Sequence, residues 1–304
     1  MKKAVNTPLH IRSISELHRH LSLPKPEHPL ISVVQFEDIN FEEDRGPETV
    51  MLDFYTIAIK KGFKGKMRYG QNYYDFDEGV MSFLAPGQIT SSNHADDQIP
   101  NGWMLVMHPD FILGYPLAKA IKDYGFFSYE LFEALHLSEK ENVLLESIIL
   151  NIQQEYRSGT DIYSTNLIVS YIELLLNYSN RFYNRQFITR RRSTNDLLTR
   201  LEGLLDAYFD SDIKEGLPTV QYISSQLNVS ASYLSDMLRS VTGQNAQQHI
   251  HNHLIEKAKV ILTTTTFSVS EIAYQLGFEY PQYFSKLFKS KTNVSPLEFR
   301  QSFS

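Results

Sequence analysis

One pattern occurs twice near the end of this 304-residue chain, and it limits the fold more than any other feature. The residues of the first copy are Val220, Ile223, Leu227, Tyr233, Leu234, Ser235, Leu238 and Thr242. The second copy repeats the pattern with one extra residue before its tyrosine: Val269, Ile272, Leu276, Tyr283, Phe284, Ser285, Phe288 and Thr292. Two repeats are too few for a solenoid, so each copy must be a structural unit by itself.

Each copy predicts two short helices joined by a polar turn. Apolar residues at i, i+3 and i+7 give the first helix one buried stripe. The turns are Asn228–Ser230 in the first copy and Gly277–Glu279 in the second. A helix, a short turn and a second helix form the helix-turn-helix unit, whose second helix enters the major groove of DNA. Two ordinary helical hairpins would give the same pattern, but the duplication of the bare polar positions favours DNA binding.

The residues of this repeat resemble a known family. From Leu217 to about Phe303 the chain is similar to the DNA-binding domain of AraC-type transcription regulators, in which a long helix joins two helix-turn-helix units. The matching runs are SASYLSDML (Ser230–Leu238), IEKAKVIL (Ile255–Leu262), VSEIAYQLGF (Val269–Phe278) and YFSKLFKSKTNVSP (Tyr283–Pro296). The resemblance implies an all-α domain over residues 195–304, with its two units at about 219–241 and 268–291.

Helix geometry predicts which side of each recognition helix faces the core. The inward residues are expected to be Leu234, Met237 or Leu238, and Val241 in the first helix, and Phe284, Leu287 and Phe288 in the second. The resemblance places the base contacts of the first helix at Ser232, Ser235 and Asp236. The full set of expected DNA contacts is Ser232, Ser235, Asp236, Arg239, Pro281, Gln282, Ser285, Lys286 and Lys289.

Three of these side chains have a specific chemistry toward bases. Gln282 can pair bidentately with adenine, and Lys286 can reach guanine or a phosphate. Asp236 departs from the family pattern, which often has a basic or amide residue there. A carboxylate repels phosphate, but it can accept from the amino group of cytosine.

The net charge of −6 is unusual for a protein that binds DNA. The charge is uneven, because residues 1–189 carry 17 Lys and Arg against 24 Asp and Glu, whereas residues 190–304 carry 12 against 11. Phosphate contacts dominate the affinity for DNA, so a weakly basic domain predicts moderate affinity. Dimerisation on two sites would raise it.

The N-terminal part predicts a β domain over residues 1–135. Strand-like runs separated by Gly, Pro, Asn and Asp are Ile31–Phe36, Met51–Ile59, Val80–Leu84 and Trp103–His108. Many short strands with frequent turns are typical of a sandwich, barrel or jelly roll. The family resemblance implies a cupin-like β-barrel that senses a small molecule, and Tyr73–Gln88 is similar to a hairpin and Pro-Gly turn of such barrels. Candidate effector contacts are Tyr73, Phe83, His94 and Trp103, although aromatic residues in strands are more often core.

Residues 138–188 predict a helical region. Ser138 and Glu141 form a capping box at the start of one helix, and Ile162–Tyr183 forms a second helix. Both helices can pack on the β domain, and the family resemblance implies that one of them also forms a dimer interface. The basic run Thr189–Asn195 is predicted to be the interdomain linker. The expected fold class is therefore α+β multidomain: a cupin-like β-barrel or jelly roll, a helical dimerisation linker and an all-α domain with two helix-turn-helix units.

The competing hypothesis is a small-molecule-binding or catalytic cupin enzyme with an accessory helical domain. The sequence has no glycine-rich phosphate loop and no G-x-S-x-G motif. His249 and His253 have a metal-like i, i+4 spacing, but no glutamate lies between them. We therefore expect no enzyme activity, no cofactor and no metal.

Composition and resemblance together predict the location and the partners. The absence of cysteine and of any long apolar run predicts a cytoplasmic protein without membrane contact. Expected partners are double-stranded DNA, RNA polymerase, a small-molecule effector and a second copy of the chain. The usual mode of the family predicts an activator.

Overall fold

The computed structural model describes residues 8–39, 48–61, 66–69, 72–75, 79–92, 101–130, 133–158, 161–189, 191–211 and 216–303. It divides into two compact units, Met1–Gln186 and Phe187–Ser304. The predicted three-part division, with separate β and helical regions before the C-terminal domain, stays a prediction. Within the described ranges, no helix is both long and apolar enough to cross a membrane.

The first unit is rich in β-strands. The strands are β1 (Leu9–Ile11), β2 (Ile31–Gln35), β3 (Glu48–Leu52), β4 (Tyr55–Lys61), β5 (Lys66–Tyr69), β6 (Asn72–Asp75), β7 (Val80–Leu84), β8 (Ile89–Ser92), β9 (Asn101–Met107) and β10 (Leu135–His136). They form a sheet in the order β1-β3-β8, a larger sheet in the order β10-β7-β4-β9-β2, and the pair β5-β6. The predicted sheet-rich region is confirmed, whereas no closed barrel is formed by the strands that the structure describes.

Two local predictions in this unit are wrong. The run Met51–Ile59 is not one strand, because the chain leaves β3 at Leu52 and begins β4 at Tyr55, and the two strands belong to different sheets. The fully buried Phe54 lies at this crossing and anchors it in the core. The segment Tyr73–Gln88 is not a hairpin, because β6 pairs with β5 and β7 pairs with β4 and β10. A Pro-Gly turn does follow β7, and Gly87 has the positive φ of +81° that the turn requires.

One hydrophobic cluster lies on the inner face of the larger sheet, which we define as the face that carries Ala58, Met104 and Val106. This cluster also contains side chains from β1, β2, β3, the first helix and the segments that follow β2 and β3: Ile11, Ile14, Leu17, Val34, Phe36, Ile39, Leu52 and Phe54. The opposite face of the sheet packs against aromatic and helical residues, and Phe83 on β7 contacts Phe126 with ring centroids 4.3 Å apart.

The helices of the first unit are α1 (Ile14–His20), α2 (Leu117–Ala120), α3 (Glu139–Arg157) and most of α4 (Ile162–Thr189), whose last three residues belong to the second unit. The predicted capping box is confirmed, because Ser138 Oγ accepts from the backbone of Glu141 and the Glu141 side chain accepts from the backbone of Ser138. Helix α3 is fixed to β2 by Tyr156, whose hydroxyl accepts from the backbone N–H of Val33 at 3.0 Å.

The run Thr189–Asn195 is not a linker without regular structure. Helix α4 extends to Thr189, and α5 already begins at Arg191. The apolar residues Leu197, Leu201 and Leu205 form a buried stripe that starts immediately after the basic run. Burial of this stripe favours a helix that extends back through the polar residues, although those residues show no periodicity of their own.

The second unit is all-helical within the described residues. Its helices are α5 (Arg191–Asp210), α6 (Val220–Leu227), α7 (Ala231–Thr242), α8 (Ala246–Thr264), α9 (Val269–Gln275), α10 (Pro281–Thr292) and α11 (Pro296–Gln301). The long helix α8 lies between the two copies of the repeat in the chain, and its residues Ile250, Leu254, Ala258 and Leu262 are buried. The predicted architecture of this unit is confirmed.

Candidate DNA-binding interface

The first helix-turn-helix unit consists of α6 and α7. Thr219 Oγ1 accepts from the backbone N–H of Tyr222, and Ser230 Oγ accepts from the backbone N–H of Tyr233, each at 3.1 Å. These two N-caps fix where the helices begin. Between them, Asn228 ends α6 in the left-handed conformation with φ +56°. Asparagine tolerates this conformation, so the chain reverses within a short turn.

The α7 residues that are expected to face the core are buried, except for the one in the last turn of the helix. Leu234, Met237 and Leu238 are buried. Val241 is 37% exposed, so the expectation that it faces the core is wrong. It lies in the last turn of α7, just before Gly243, where the chain leaves the core.

The second unit consists of α9 and α10. Ser268 and Glu271 form a reciprocal capping box on α9, and Phe284 and Phe288 of α10 are fully buried. Leu287, which was expected to face inward with them, is only half-buried. The two repeats therefore use different side chains, leucine in one and phenylalanine in the other, to fill equivalent core positions.

Gly277 makes the turn of the second unit possible. Its φ is +94°, and a Cβ at this position would lie 2.4 Å from the carbonyl oxygen of Gly216. Any larger residue would therefore meet both an unfavourable backbone conformation and a backbone clash. Gly216 lies in the segment before α6, so this contact fixes the turn of the second unit against the chain that enters the first. The Tyr208 hydroxyl donates to the same carbonyl at 2.9 Å.

None of the nine expected DNA contacts is buried. Arg239, Gln282, Lys286 and Lys289 are exposed, and the half-buried residues are Ser232, Ser235, Asp236, Pro281 and Ser285. Their placement away from the buried side of each helix is compatible with the expected role. Contact with DNA stays a prediction for each of them.

The two recognition helices differ in charge. On α7, Arg239 Nη1 donates to Asp236 Oδ1 at 2.8 Å, so the only basic side chain of that helix is paired with its only acidic one. On α10, Lys286, Lys289 and Lys291 are exposed, and the helix has no acidic residue. The second unit therefore offers a stronger positive potential to phosphates than the first.

Tyr283 was not among the expected contacts, yet it is 60% exposed beside Gln282. The equivalent tyrosine of the first unit, Tyr233, is half-buried and packs edge-to-face on Phe187 with ring centroids 5.2 Å apart. Because both repeats have tyrosine at this position, the sequence contains no signal for the difference. The covering residue Phe187 lies far away in the chain, and only the fold brings it to the first unit.

Helix α5 is held on α8 by acidic and basic side chains in matching register. Asp206 Oδ1 lies 3.0 Å from His253 Nε2, and Asp210 Oδ1 lies 2.5 Å from Lys257 Nζ. One turn earlier, burial lowers the pKa of His249 and the charge of Glu202 opposes that shift. These pairs lie four residues apart on both helices, so they form one row along the contact. They stabilise the scaffold that carries the recognition helices.

His249 and His253 have the metal-like i, i+4 spacing but different hydrogen-bond partners. His249 Nε2 lies 2.8 Å from Thr242 Oγ1, whereas His253 Nε2 points to Asp206. The two rings therefore have different partners instead of a shared ligand. Among the described residues, no three His, Cys, Asp or Glu side chains are grouped so that they could hold a metal ion.

The candidate effector contacts have different surroundings. Trp103 is buried, and its Nε1–H donates to Glu146 Oε1 of α3 at 3.0 Å, so it faces the helices and not the inner face of the sheet. Phe83 lies on the same helix-covered side and borders a cavity of about 10 Å³, which can hold at most one water molecule. The side chain of Tyr73 and the whole of His94 lie outside the described residues. The effector role of these residues stays a prediction.

The comparison with known families agrees with this geometry. A family model described as "Helix-turn-helix domain" matches residues 223–302, which include α7 to α11 and most of α6. The Msm operon regulatory protein of Streptococcus mutans is 24% identical over 82% of this chain and 84% of its own length. The HTH-type transcriptional activator RhaS of Salmonella agona is 29% identical over 82% of this chain and 86% of its own length.

The C-terminal domain belongs to the AraC family. The expected AraC-type domain is thus confirmed, and with it the interpretation of this chain as a DNA-binding transcription regulator. The Msm operon regulatory protein and RhaS are likewise regulators and not enzymes. Histidine kinase P4 of Formosa agariphila is also similar, at 27% identity over 91% of this chain, but the match spans only 20% of that kinase. A match to one fifth of that kinase does not transfer its kinase activity to this chain.

Proposed function

We propose that this protein is a sequence-specific transcription activator that reads two successive major-groove segments of one DNA face. The observation that carries the proposal is the pair of helix-turn-helix units on one scaffold, each with an unburied polar side on its second helix. Because α10 carries more positive charge than α7, we assign most of the affinity for phosphates to α10. Activation is supported by the name of one relative, a transcriptional activator similar over most of the chain.

Activation requires a contact with the transcription machinery, so RNA polymerase is the proposed protein partner. The proposed input is a small-molecule effector bound by the N-terminal unit. On β7 of this unit, the described residues leave the inner-face side chains half-buried, whereas the side chains on the other face are buried. A cupin-like arrangement of this unit is part of the proposal.

The proposal includes a homodimer formed through α4. One side of this helix carries an apolar stripe, which we call the α4 stripe: Tyr163, Leu167, Tyr171, Leu174 and Tyr178. Within it, Tyr163 is 69% exposed, Leu167 47% and Leu174 42%. An exposed apolar stripe on a helix is typical of an interface, and a symmetric dimer covers it with its own copy. Two tethered domains of moderate affinity then bind a two-site operator more tightly than either domain alone.

The deciding experiment measures DNA binding by the full chain. Duplex fragments from the region upstream of its own gene are titrated with the protein, and competitor DNA of the same composition but shuffled sequence serves as the control. We expect one fragment to stay bound to the protein in the presence of at least a 100-fold excess of shuffled competitor. The affinity for a specific site exceeds the affinity for non-specific DNA by roughly 10³-fold or more. Equal competition by the shuffled DNA would contradict it.

A further inference from the structure

The second recognition helix, α10, begins differently from its neighbours in the chain. Its N-cap residue is Tyr280, whose side chain makes no capping hydrogen bond. The other helices from α6 to α11 begin at a hydroxyl or amide residue whose side chain accepts from the backbone: Thr219, Ser230, Asn245, Ser268 and Ser295. Tyrosine has no short side-chain acceptor, so α10 lacks the stabilisation that such a cap provides.

The backbone alone fixes the start of α10. Ser230 precedes Tyr233 by three residues in the first unit, and Tyr280 occupies the equivalent position before Tyr283. Pro281 at the first helical position has no N–H to satisfy, and its φ already suits a helix. The backbone N–H of Tyr283 donates to the Tyr280 carbonyl at 3.0 Å. The side chain of Tyr280 is therefore not needed to begin the helix.

This side chain lies on the surface beside a second tyrosine. Tyr280 is 46% exposed and Tyr283 is 60% exposed. Their rings pack edge to face, with centroids 5.8 Å apart and an interplanar angle of 85°. The first unit has no equivalent pair, because it has Ser230 at the N-cap and its Tyr233 packs on Phe187. The exposed aromatic pair therefore distinguishes the second unit from the first.

The pair lies at the end of the recognition helix that reads bases. In helix-turn-helix proteins, the N-terminal residues of this helix contact base edges in the major groove. Tyr280 is the N-cap, and Gln282 is the second helical residue of the same turn. Lys286 and Lys289 are exposed further along α10 and provide positive charge toward phosphates. The charge of α10 thus favours DNA as the partner, and Tyr280 adds an apolar surface at the end that approaches the bases.

The apolar ring restricts which group of the DNA it can contact. The C5-methyl group of thymine is the apolar group that base pairs present in the major groove, and apolar side chains contact it. A phosphate is a poor partner here, because the residue before Tyr280 is the exposed Glu279, whose charge repels phosphate. A thymine methyl group therefore fits the ring of Tyr280 better than a phosphate fits its hydroxyl.

We propose that Tyr280 is a specificity-determining residue of the second unit, and that its ring contacts the C5-methyl group of a thymine next to the base pair that Gln282 reads. The edge-to-face contact with Tyr283 limits the movement of the ring. Tyrosine at this position replaces a stabilising cap by a contact that distinguishes thymine from cytosine. The inference rests on the proposed sequence-specific function and names one base that the second unit selects.

The experiment removes the methyl group from one thymine at a time. In the upstream DNA fragment that the full chain retains, each thymine is replaced singly by deoxyuridine, which forms the same base pair without the C5-methyl group. We expect one replacement, next to the position that responds to Gln282→Ala, to weaken binding by the parent by roughly 3-fold or more. Tyr280→Phe keeps the ring and should show the same response. Tyr280→Ser should bind both duplexes equally.

Stability separates a contact with DNA from a structural role. Tyr280→Ser introduces the type of cap that the first unit has, so its melting temperature should rise by roughly 2 °C or more while its affinity for the thymine duplex falls. A tyrosine that only supports the fold would lower both quantities when replaced. Tyr274→Ser is the matched control, because Tyr274 is 59% exposed but lies on α9. That variant should keep the response to deoxyuridine.

Three results would overturn the role of Tyr280. The first is a parent that binds every deoxyuridine duplex as tightly as the thymine duplex. The second is a response that persists in Tyr280→Ser. The third is an equal loss of affinity in Tyr280→Phe and Tyr280→Ser, which would assign a phosphate contact to the hydroxyl. A parent that retains no fragment contradicts the proposed function itself, whereas specific binding without a deoxyuridine response removes only this inference.

Discussion

Asp236 Oδ1 accepts a hydrogen bond from Arg239 Nη1 at 2.8 Å on the first recognition helix. The pair lies at i, i+3 and is partly exposed, so its contribution to stability is small. We expect its effect on DNA binding to be larger, because it occupies the only basic group of α7. The first unit therefore approaches DNA with no net charge on its recognition helix.

Asp236→Asn is expected to strengthen binding to duplexes of any sequence by about 3- to 10-fold, because it removes a repulsive carboxylate and frees Arg239 for a phosphate. The plot of log affinity against log salt should steepen by roughly one unit. A preference for cytosine at one operator position should weaken in the same variant. Titrations at several salt concentrations check this, and an unchanged slope would show that Arg239 reaches no phosphate.

Gln282 and Lys289 separate base reading from phosphate contact on the second recognition helix. Gln282→Ala should cost about 1–3 kcal/mol at one base position and relax the preference there. Lys289→Ala should weaken binding to all sequences alike and reduce the salt slope by about one unit. Operator variants with single base changes provide the measurement. Identical, sequence-independent losses in both variants would remove Gln282 as a base-reading residue.

Gly277 should tolerate no side chain. Gly277→Ala introduces a Cβ that would lie 2.4 Å from Gly216 O and strains a backbone with φ +94°. We expect a loss of about 1–3 kcal/mol in the free energy of unfolding. Gly203→Ala is the matched control, because its Cβ in helix α5 meets no atom within 4 Å. That variant should gain about 0.5–1 kcal/mol. Denaturant unfolding measures both, and equal stability of the two variants would contradict the contact.

The α4 stripe predicts which substitutions separate dimerisation from folding. Leu167→Glu with Leu174→Glu should give a folded monomer, because both side chains are exposed on one side of α4. Leu175→Glu should instead prevent folding, since Leu175 is fully buried and the charge would be unpaired. The sequence alone does not separate these positions, because Leu174 and Leu175 are adjacent leucines. A charged substitution at the buried Leu175 cannot test an interface. Sedimentation equilibrium and circular dichroism provide the measurements. A double variant with the mass of the parent would place any interface elsewhere.

Glu146 predicts a dependence of stability on pH. Burial raises the pKa of this carboxyl, but hydrogen bonds from Lys61 and Trp103 and the charge of Lys61 outweigh burial and lower the pKa below its ordinary value of 4.5. A lowered folded-state pKa means that the stabilisation is present at neutral pH and is lost as the pH falls below about 4.5. The parent should be more stable than Glu146→Gln at pH 7, and the difference should shrink on acidification. Thermal unfolding at several pH values measures it. A difference independent of pH would show that the charge of Glu146 is not involved.

Local signals were sufficient to predict the C-terminal domain. Each helix of the repeat begins or ends at a residue whose type encodes the boundary, such as Ser230, Ser268 and Asn228. Its buried positions follow the helical period within single segments, as Leu234 and Phe284 illustrate. Both the caps and the period depend on residues close together in the chain, so the sequence contains the information directly.

The β unit was predicted only in outline, because strand pairing joins distant segments. The residue types of β6 and β7 indicate strands, but they do not specify that β6 pairs with β5 while β7 pairs with β4 and β10. The surroundings of the candidate effector contacts are equally hard to predict, because they too depend on segments distant in the chain. Trp103 and Phe83 were identified as aromatic residues of strands, and only the register and the packing of α3 and α4 place them on the helix-covered face.

The sequence by itself determined the two helix-turn-helix units, the family and the polar set on the recognition helices, because these depend on period, caps and residue type. Only the tertiary structure decided which of the polar and aromatic side chains are exposed and which are paired or covered. It pairs Arg239 with Asp236 and covers Tyr233 with Phe187 while leaving Tyr283 exposed. It also gives Lys61 a carboxylate partner, which Lys60 lacks among the described residues. Residues of the same type in equivalent or adjacent positions thus acquire different chemistry. The physical reason is that burial and charge pairing depend on neighbours in space, which segments distant in the chain supply.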